Sequence, residues 1–224
     1  MWIQDSIGSW NMKAMIWAGL VAATATLWGQ AKNPRLPNDI DPASHSRIPL
    51  VHRQDLDASG QKIWDSLGGN PDRPPCCVFG IAIYNPEMAD ALFKLRNSVV
   101  RDGTLGNHIT EVAILTGTRE QQMSSNEWTG HEAAARKAGV DQTTIDAIKE
   151  RKDLTGVPEK DALVIRFGRE LFRDRKISSE TFAKAVEAFG RRGTVELIGV
   201  MADYAMVALM LEAVDEHRGP EHLW

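Results

Sequence analysis

The stretch EVAILTGTREQQMSSNEWTGHEAAARKAGV, Glu111 to Val140, reads as two helices folded back on each other. Its first half belongs to a pattern running from Ile109 to about Glu120, apolar at most positions, as a helix buried on most sides would be. A short polar link around REQQM follows. From Ser124 to Ala138 the alanine-rich run has high helix propensity, and Gly139 is the residue type that most readily ends a helix in the left-handed conformation. So short a link predicts an antiparallel helical hairpin.

On this hairpin Glu127 and His131 stand four residues apart and share a helix face, with Ser124 one turn earlier on the same side. Glu111 lies on the preceding helix among the apolar residues of ITEVAIL, where a carboxylate needs a partner. Antiparallel pairing brings it towards the other two. A carboxylate beside an imidazole fixes the ring's tautomer and raises its basicity, and a desolvated carboxyl is suited to proton transfer nearer neutrality. The trio therefore predicts acid–base chemistry, with His131 moving the proton, Glu127 orienting it and Glu111 as a second acid or base. Trp128 and Ser124 are the candidate substrate-binding residues, the indole as an apolar wall.

Outward from the hairpin the pattern stays helical. Asp57 to Leu67 places Ile63, Trp64 and Leu67 on one face; GGNPDRPP breaks it, and Pro86 opens a helix to about Arg101. Asp141 is a candidate N-cap, with Val140 and Ile145 at staple spacing. Glu159 to Arg173 and Thr181 to Phe189 form two more helices, and Thr194 to Val214 is the longest and most apolar. No extended alternation and no repeat interrupts them. The fold expected is all-α, a single-domain helical bundle over residues 55–215, preceded by a proline-rich extended arm over 32–54 and followed by a tail over 216–224.

The chain of 224 residues, 43% apolar, is long enough for one substantial core. Its net charge of −4, with basic pairs interleaved among acids, argues against a nucleic-acid partner. The two cysteines, Cys76 and Cys77, are adjacent, which supports neither a disulfide framework nor a zinc site. They read as a reactive thiol or as small apolar residues packed under a loop.

From Met12 the chain reads MKAMIWAGLVAATATLWGQA, with one Lys, an apolar run from Ala14 to Trp28, and then Gly29-Gln30-Ala31. This is the pattern of a signal peptide over residues 1–31, with translation starting at Met12. The run falls short of the roughly twenty residues of a membrane span, so cleavage is expected rather than a stable membrane anchor. The mature protein would be exported, periplasmic or secreted.

The opening stretch resembles the signature helices of the carboxymuconolactone decarboxylase-like family. Its alkylhydroperoxidase D branch carries a Glu, then C-x-x-C-x-x-x-H, then an alanine-rich helix. The later segment, with Phe189-Gly190, Val195-Glu196-Leu197-Ile198 and Tyr204, is similar to the family's second half. The resemblance implies that the family's Glu falls on Glu111 and its His on His131, and that its redox cysteines are replaced by Ser124 and Glu127. Without that thiol pair, peroxidase activity of the alkylhydroperoxidase kind is not expected. NEWTGH is similar to the cysteine-less branches.

The resemblance implies a cofactor-free enzyme, a decarboxylase-like lyase or isomerase acting on a small organic acid or lactone, self-associating as a trimer or hexamer. Three alternatives are a non-catalytic exported binding or assembly protein, a divalent-metal enzyme using Glu111, Glu127 and His131, and a peroxidase despite the lost cysteines. Glu196, Asp203 and Tyr204 are left between packing and pocket.

Overall fold

The structure is a computed structural model and describes residues 37–70, 73–121 and 125–216. Its helices are α1 (Ala58–Ser66), α2 (Val78–Ala82), α3 (Pro86–Arg96), α4 (Gly106–Glu120), α5 (Ser125–Lys137), α6 (Gln142–Lys149), α7 (Glu159–Arg169) and α8 (Ser179–Ala213). Single π-type turns extend α3 over Asn97–Arg101 and α7 over Glu170–Asp174. Among the described residues there is no strand, only isolated bridges at Asp41–Ser46 and Asn70–Arg73. The expected signal segment, the start of the arm and the tail beyond Glu216 lie outside the described residues.

Local chemistry sets most boundaries. The Asp57 carboxylate accepts from the Gly60 N–H at 2.7 Å to start α1. Asn85 does the same for Met88 at 3.0 Å, with Pro86 just inside α3. Gly139, at φ 81°, ends α5: its N–H donates to the Arg136 carbonyl and the Val140 N–H donates to Ala135, as in a Schellman cap. Asp141 holds the N-cap position of α6 but its side chain makes no capping bond; buried Val140 and Ile145 provide the staple instead.

Two features depart from the sequence expectation. The described part of the expected extended arm is a run of turns: the Asp41 carboxylate accepts from the N–H groups of Ala43 and Ser44. Arg47 then donates its N–H to the Val214 carbonyl at 2.7 Å, tying the segment to the end of α8. Second, α2 is too short, at five residues, to show a period in the sequence. The two helices expected at Thr181–Phe189 and Thr194–Val214 do form, as the two parts of α8 on either side of Gly190 (φ 68°, ψ 173°), whose carbonyl accepts from the Thr194 hydroxyl at 2.8 Å.

The core sits around α4, which packs against α5, α6, α7 and α8. Val112, Ala113, Ile114 and Leu115 are fully buried, as are Ile165, Phe167, Leu197 and Met201 opposite them. Each large side chain so buried contributes about 1.5–3 kcal/mol. A second cluster joins Trp64, Val78, Phe79, Ile83 and Leu92 to Val207 and Leu211 of α8. Thus α8 belongs to both clusters. It is long and apolar enough by composition to cross a membrane, yet 56% of that window is buried against the rest of the chain, as in a core helix.

Candidate functional site

The α4–α5 hairpin brings the three sequence-predicted proton-transfer residues together. His131 Nδ1 lies 2.9 Å from Oε2 of Glu111, and its Nε2 lies 3.9 Å from Oε2 of Glu127. An ionised carboxylate only accepts, so Nδ1 carries the hydrogen that bonds Glu111, while Nε2 faces Glu127. At 3.9 Å the second contact is too long for a hydrogen bond. The side chains are 22% (His131), 15% (Glu111) and 13% (Glu127) exposed, which is dry enough to strengthen their interactions and open enough to exchange protons.

Glu111, rather than Glu127, makes the hydrogen bond to the ring, and Glu127 faces the other nitrogen. A helix-face argument favours the pair four apart, but the hairpin delivers the better-aligned bond from the neighbouring helix. The two carboxylates approach opposite nitrogens, so the trio does not converge on one point as ligands of a divalent ion would. Among the described residues no group of three or more His, Cys, Asp or Glu side chains is placed to hold a metal ion.

Tyr204 of α8 completes one wall. Its ring stands edge-to-face with His131, centroids 4.9 Å apart at 88°. Burial pushes the phenol's pKa up, reinforced by the nearby Glu127 and Glu111, so it remains a hydrogen-bond donor. Behind Tyr204 lies Arg96, which no sequence pattern singled out. Its guanidinium stacks 5.3 Å from the Tyr204 ring centre and 5.1 Å from that of Phe79, and its Nε donates to Oδ2 of buried Asp203 at 2.9 Å. Arg96 Nη2 and Asp203 Oδ1 are buried without a hydrogen-bond partner among the described residues. Both atoms are closed off from solvent, so their unmet hydrogen bonds are a cost that the ion pair and the stacking must offset.

Other candidates fall elsewhere. Trp128 hydrogen-bonds Glu132 through Nε1 and lies under Lys149, 5.9 Å from its ring centre. It therefore turns towards α6, one residue along the helix from Glu127, and packs at the edge of the core. Ser124 lies outside the described residues. Glu196 is structural: it accepts from the Thr104 N–H and hydroxyl at 2.7 and 2.6 Å and pairs with Arg192 at 2.8 Å. His108, Asp161 and Thr144 form a similar buried tie among α4, α6 and α7. A hollow of about 480 Å³ between α7 and the start of α8, walled by Lys160, Arg166, Lys184 and Glu187, shares no residue with the Glu–His cluster.

The architecture has solved counterparts. The chain aligns with the alkylhydroperoxidase AhpD core of an uncharacterized peroxidase-related protein from Ralstonia eutropha JMP134 at a TM-score of 0.61 and 16% identity, over 80% of this chain and 95% of that one. An uncharacterized peroxidase-related protein from Silicibacter sp. TM1040 aligns at a TM-score of 0.62 and 14% identity, over 82% and 95%. The fold is alkylhydroperoxidase D-like. No family model and no curated protein sequence matches the chain. The alkylhydroperoxidase D-like frame thus supplies the helices, while the chemistry rests on the side chains that this chain places in it.

Proposed function

We propose that the chain is a cofactor-free acid–base enzyme acting on a small organic acid or lactone, as a decarboxylase-like lyase or an isomerase. The observation that carries this reading is His131 held between two carboxylates, one bonding Nδ1 and the other facing Nε2. Glu111 fixes the tautomer and stabilises the imidazolium that forms when Nε2 accepts a proton. A substrate with an acidic C–H beside its carbonyl would present that carbon to Nε2. Proton removal there gives an enolate, and proton delivery from His131 or Glu127 completes an isomerisation; for a decarboxylation, the same groups protonate the carbanion left by carbon dioxide.

The test is solvent deuterium incorporation into a panel of small lactones and unsaturated acids, followed by NMR. Wild-type protein should exchange protons beside the carbonyl of one class, and His131→Ala should not. Equal exchange by the two proteins would sink the assignment.

Two further parts of the proposal concern the setting. The signal-like segment ending at Ala31 supports export, checked by the mature N-terminus of secreted material. The exposed apolar residues Val195, Met206 and Leu209 on α8 support self-association as a trimer or hexamer. A sedimenting monomer at micromolar concentration would remove that part.

A further inference from the structure

Cys76 and Cys77 stand in the sequence on a segment apart from the Glu–His site. The fold instead carries them to its edge. They immediately precede α2, whose Phe79 lies under Arg96, and Arg96 in turn stacks on Tyr204 beside His131. Cys76 is exposed and Cys77 half-buried. The charges of Arg73, Arg96 and Glu127 act on Cys76. Adjacent side chains on an extended backbone point to opposite sides; Cys77 adopts φ 59° and ψ −141°, a conformation rarely accepted by a residue with a Cβ. The strained backbone occurs where two sulfurs meet, the kind of strain that marks a working site.

We propose that Cys76 and Cys77 form a redox site that interconverts between a dithiol and a vicinal disulfide by exchange with small-molecule disulfides. Cys76 is the attacking sulfur. The hydrogen bond from Cys77 above all, aided by Arg73 and Arg96, holds the Cys76 thiol down at about 6, against burial and the Glu127 charge. Cys77 is pushed the opposite way by that same hydrogen bond and by burial, so it keeps its proton until Cys76 has reacted.

The Cys76 thiolate attacks one sulfur of a disulfide RSSR, forming a mixed disulfide and releasing RS⁻. Loss of the Cys76 charge lets Cys77 give up its proton to the released thiolate or to water. The Cys77 thiolate then attacks Cys76 Sγ, closing the vicinal disulfide and expelling the second RS⁻. In net terms, the dithiol is oxidised by two electrons and RSSR is reduced to two RSH. Two RSH restore the dithiol by the reverse route. Adjacent Cα atoms are about 3.8 Å apart across a trans peptide, closer than the roughly 4.4 Å minimum of ordinary disulfides. The ring is therefore strained and readily reduced, as suits a reversible couple rather than a structural bridge.

The experiment exposes reduced full-length protein to glutathione disulfide at pH 7 and analyses the Cys76–Cys77 peptide by mass spectrometry. The wild-type peptide should lose two hydrogens and retain no glutathione. Cys77→Ser should stop at the mixed disulfide on Cys76, and Cys76→Ser should react at least about tenfold more slowly than Cys77→Ser. The pH profile of iodoacetamide labelling should show a midpoint near about 6 in the wild type and a higher one in Cys77→Ser. A wild-type peptide that keeps glutathione, or two variants that react at equal rates, overturns the proposal. Both outcomes are read without a substrate of the acid–base site.

Discussion

His131 Nδ1 and Glu111 Oε2 meet at 2.9 Å across the α4–α5 hairpin, joining two helices at the point where the chemistry is expected. Glu111→Gln keeps the shape but removes the charge that stabilises the imidazolium. Turnover of a substrate found in the exchange screen should fall about 10²- to 10⁴-fold, with KM little changed and the circular dichroism spectrum intact. An unchanged turnover number would remove Glu111 from the mechanism.

Glu127 faces Nε2 without bonding it, so its loss should act on chemistry more than on folding. Glu127→Gln should lower turnover at least about tenfold while moving the urea midpoint by less than the equivalent of about 1 kcal/mol. Parallel activity and denaturation curves check the two halves of this expectation.

The Arg96–Asp203 pair is 19% and 0% exposed. Arg96→Ala leaves a buried carboxylate without its cation and should cost about 3–5 kcal/mol. Replacing both residues by Leu should recover most of that stability, because the desolvation cost disappears with the charges. The recovered double variant should keep its activity, since Arg96 packs behind Tyr204; a stable but inactive double variant would contradict this.

Against the cost of burial, the hydrogen bonds from the Thr104 hydroxyl and N–H and from Arg192 hold the Glu196 carboxyl below its usual range. For a depressed carboxyl, the stabilisation is fully present above the unfolded-state value and is lost as pH falls through the lower folded value. Stability should therefore decline below about pH 4.5, and Glu196→Gln should flatten that acid limb while costing about 1–3 kcal/mol at pH 7. Thermal unfolding of both proteins across pH 3–7 tests this; an unchanged acid limb would contradict it.

Gly190 interrupts α8 at φ 68° and ψ 173°, a region nearly restricted to glycine. A Cβ added there meets no atom within 4 Å, so the cost of Gly190→Ala is conformational alone, about 1–3 kcal/mol. A shift of the denaturant midpoint measures it, and an unshifted midpoint would mean that the break is not required.

Much of the fold is legible in the sequence because the signals that build it are local. Gly139 ends α5, Pro86 opens α3, and the apolar run around Glu111 buries α4. The encounter of Glu111 with His131 is legible too, since a short link leaves two helices little choice of partner. Arg96 is not: its meaning comes from Asp203 and Tyr204 on α8, and no periodicity marks which surface-type charge will be buried. The place of Cys76 and Cys77 escapes for another reason, because it depends on where a five-residue helix docks. Trp128 shows the limit of proximity in sequence, since one residue along a helix turns a side chain by about 100°. Which carboxylate bonds the ring is hidden for the same kind of reason: spacing fixes a shared face, but only the packing of α4 against α5 fixes the distances.

The cluster is stitched together over very different lengths of chain. Glu111 and His131 are 20 residues apart, whereas Arg96 and Asp203 are separated by 107. Closing the longer loop costs about 1.5 kcal/mol more in chain entropy, and local contacts form first when others must wait for distant segments. During refolding, the imidazole and its carboxylate can therefore pair while the guanidinium is still unplaced. A nascent chain thus carries the Glu111–His131 pair before Tyr204 of α8 can close over the imidazole, so the surroundings of the pair are completed only when α8 docks.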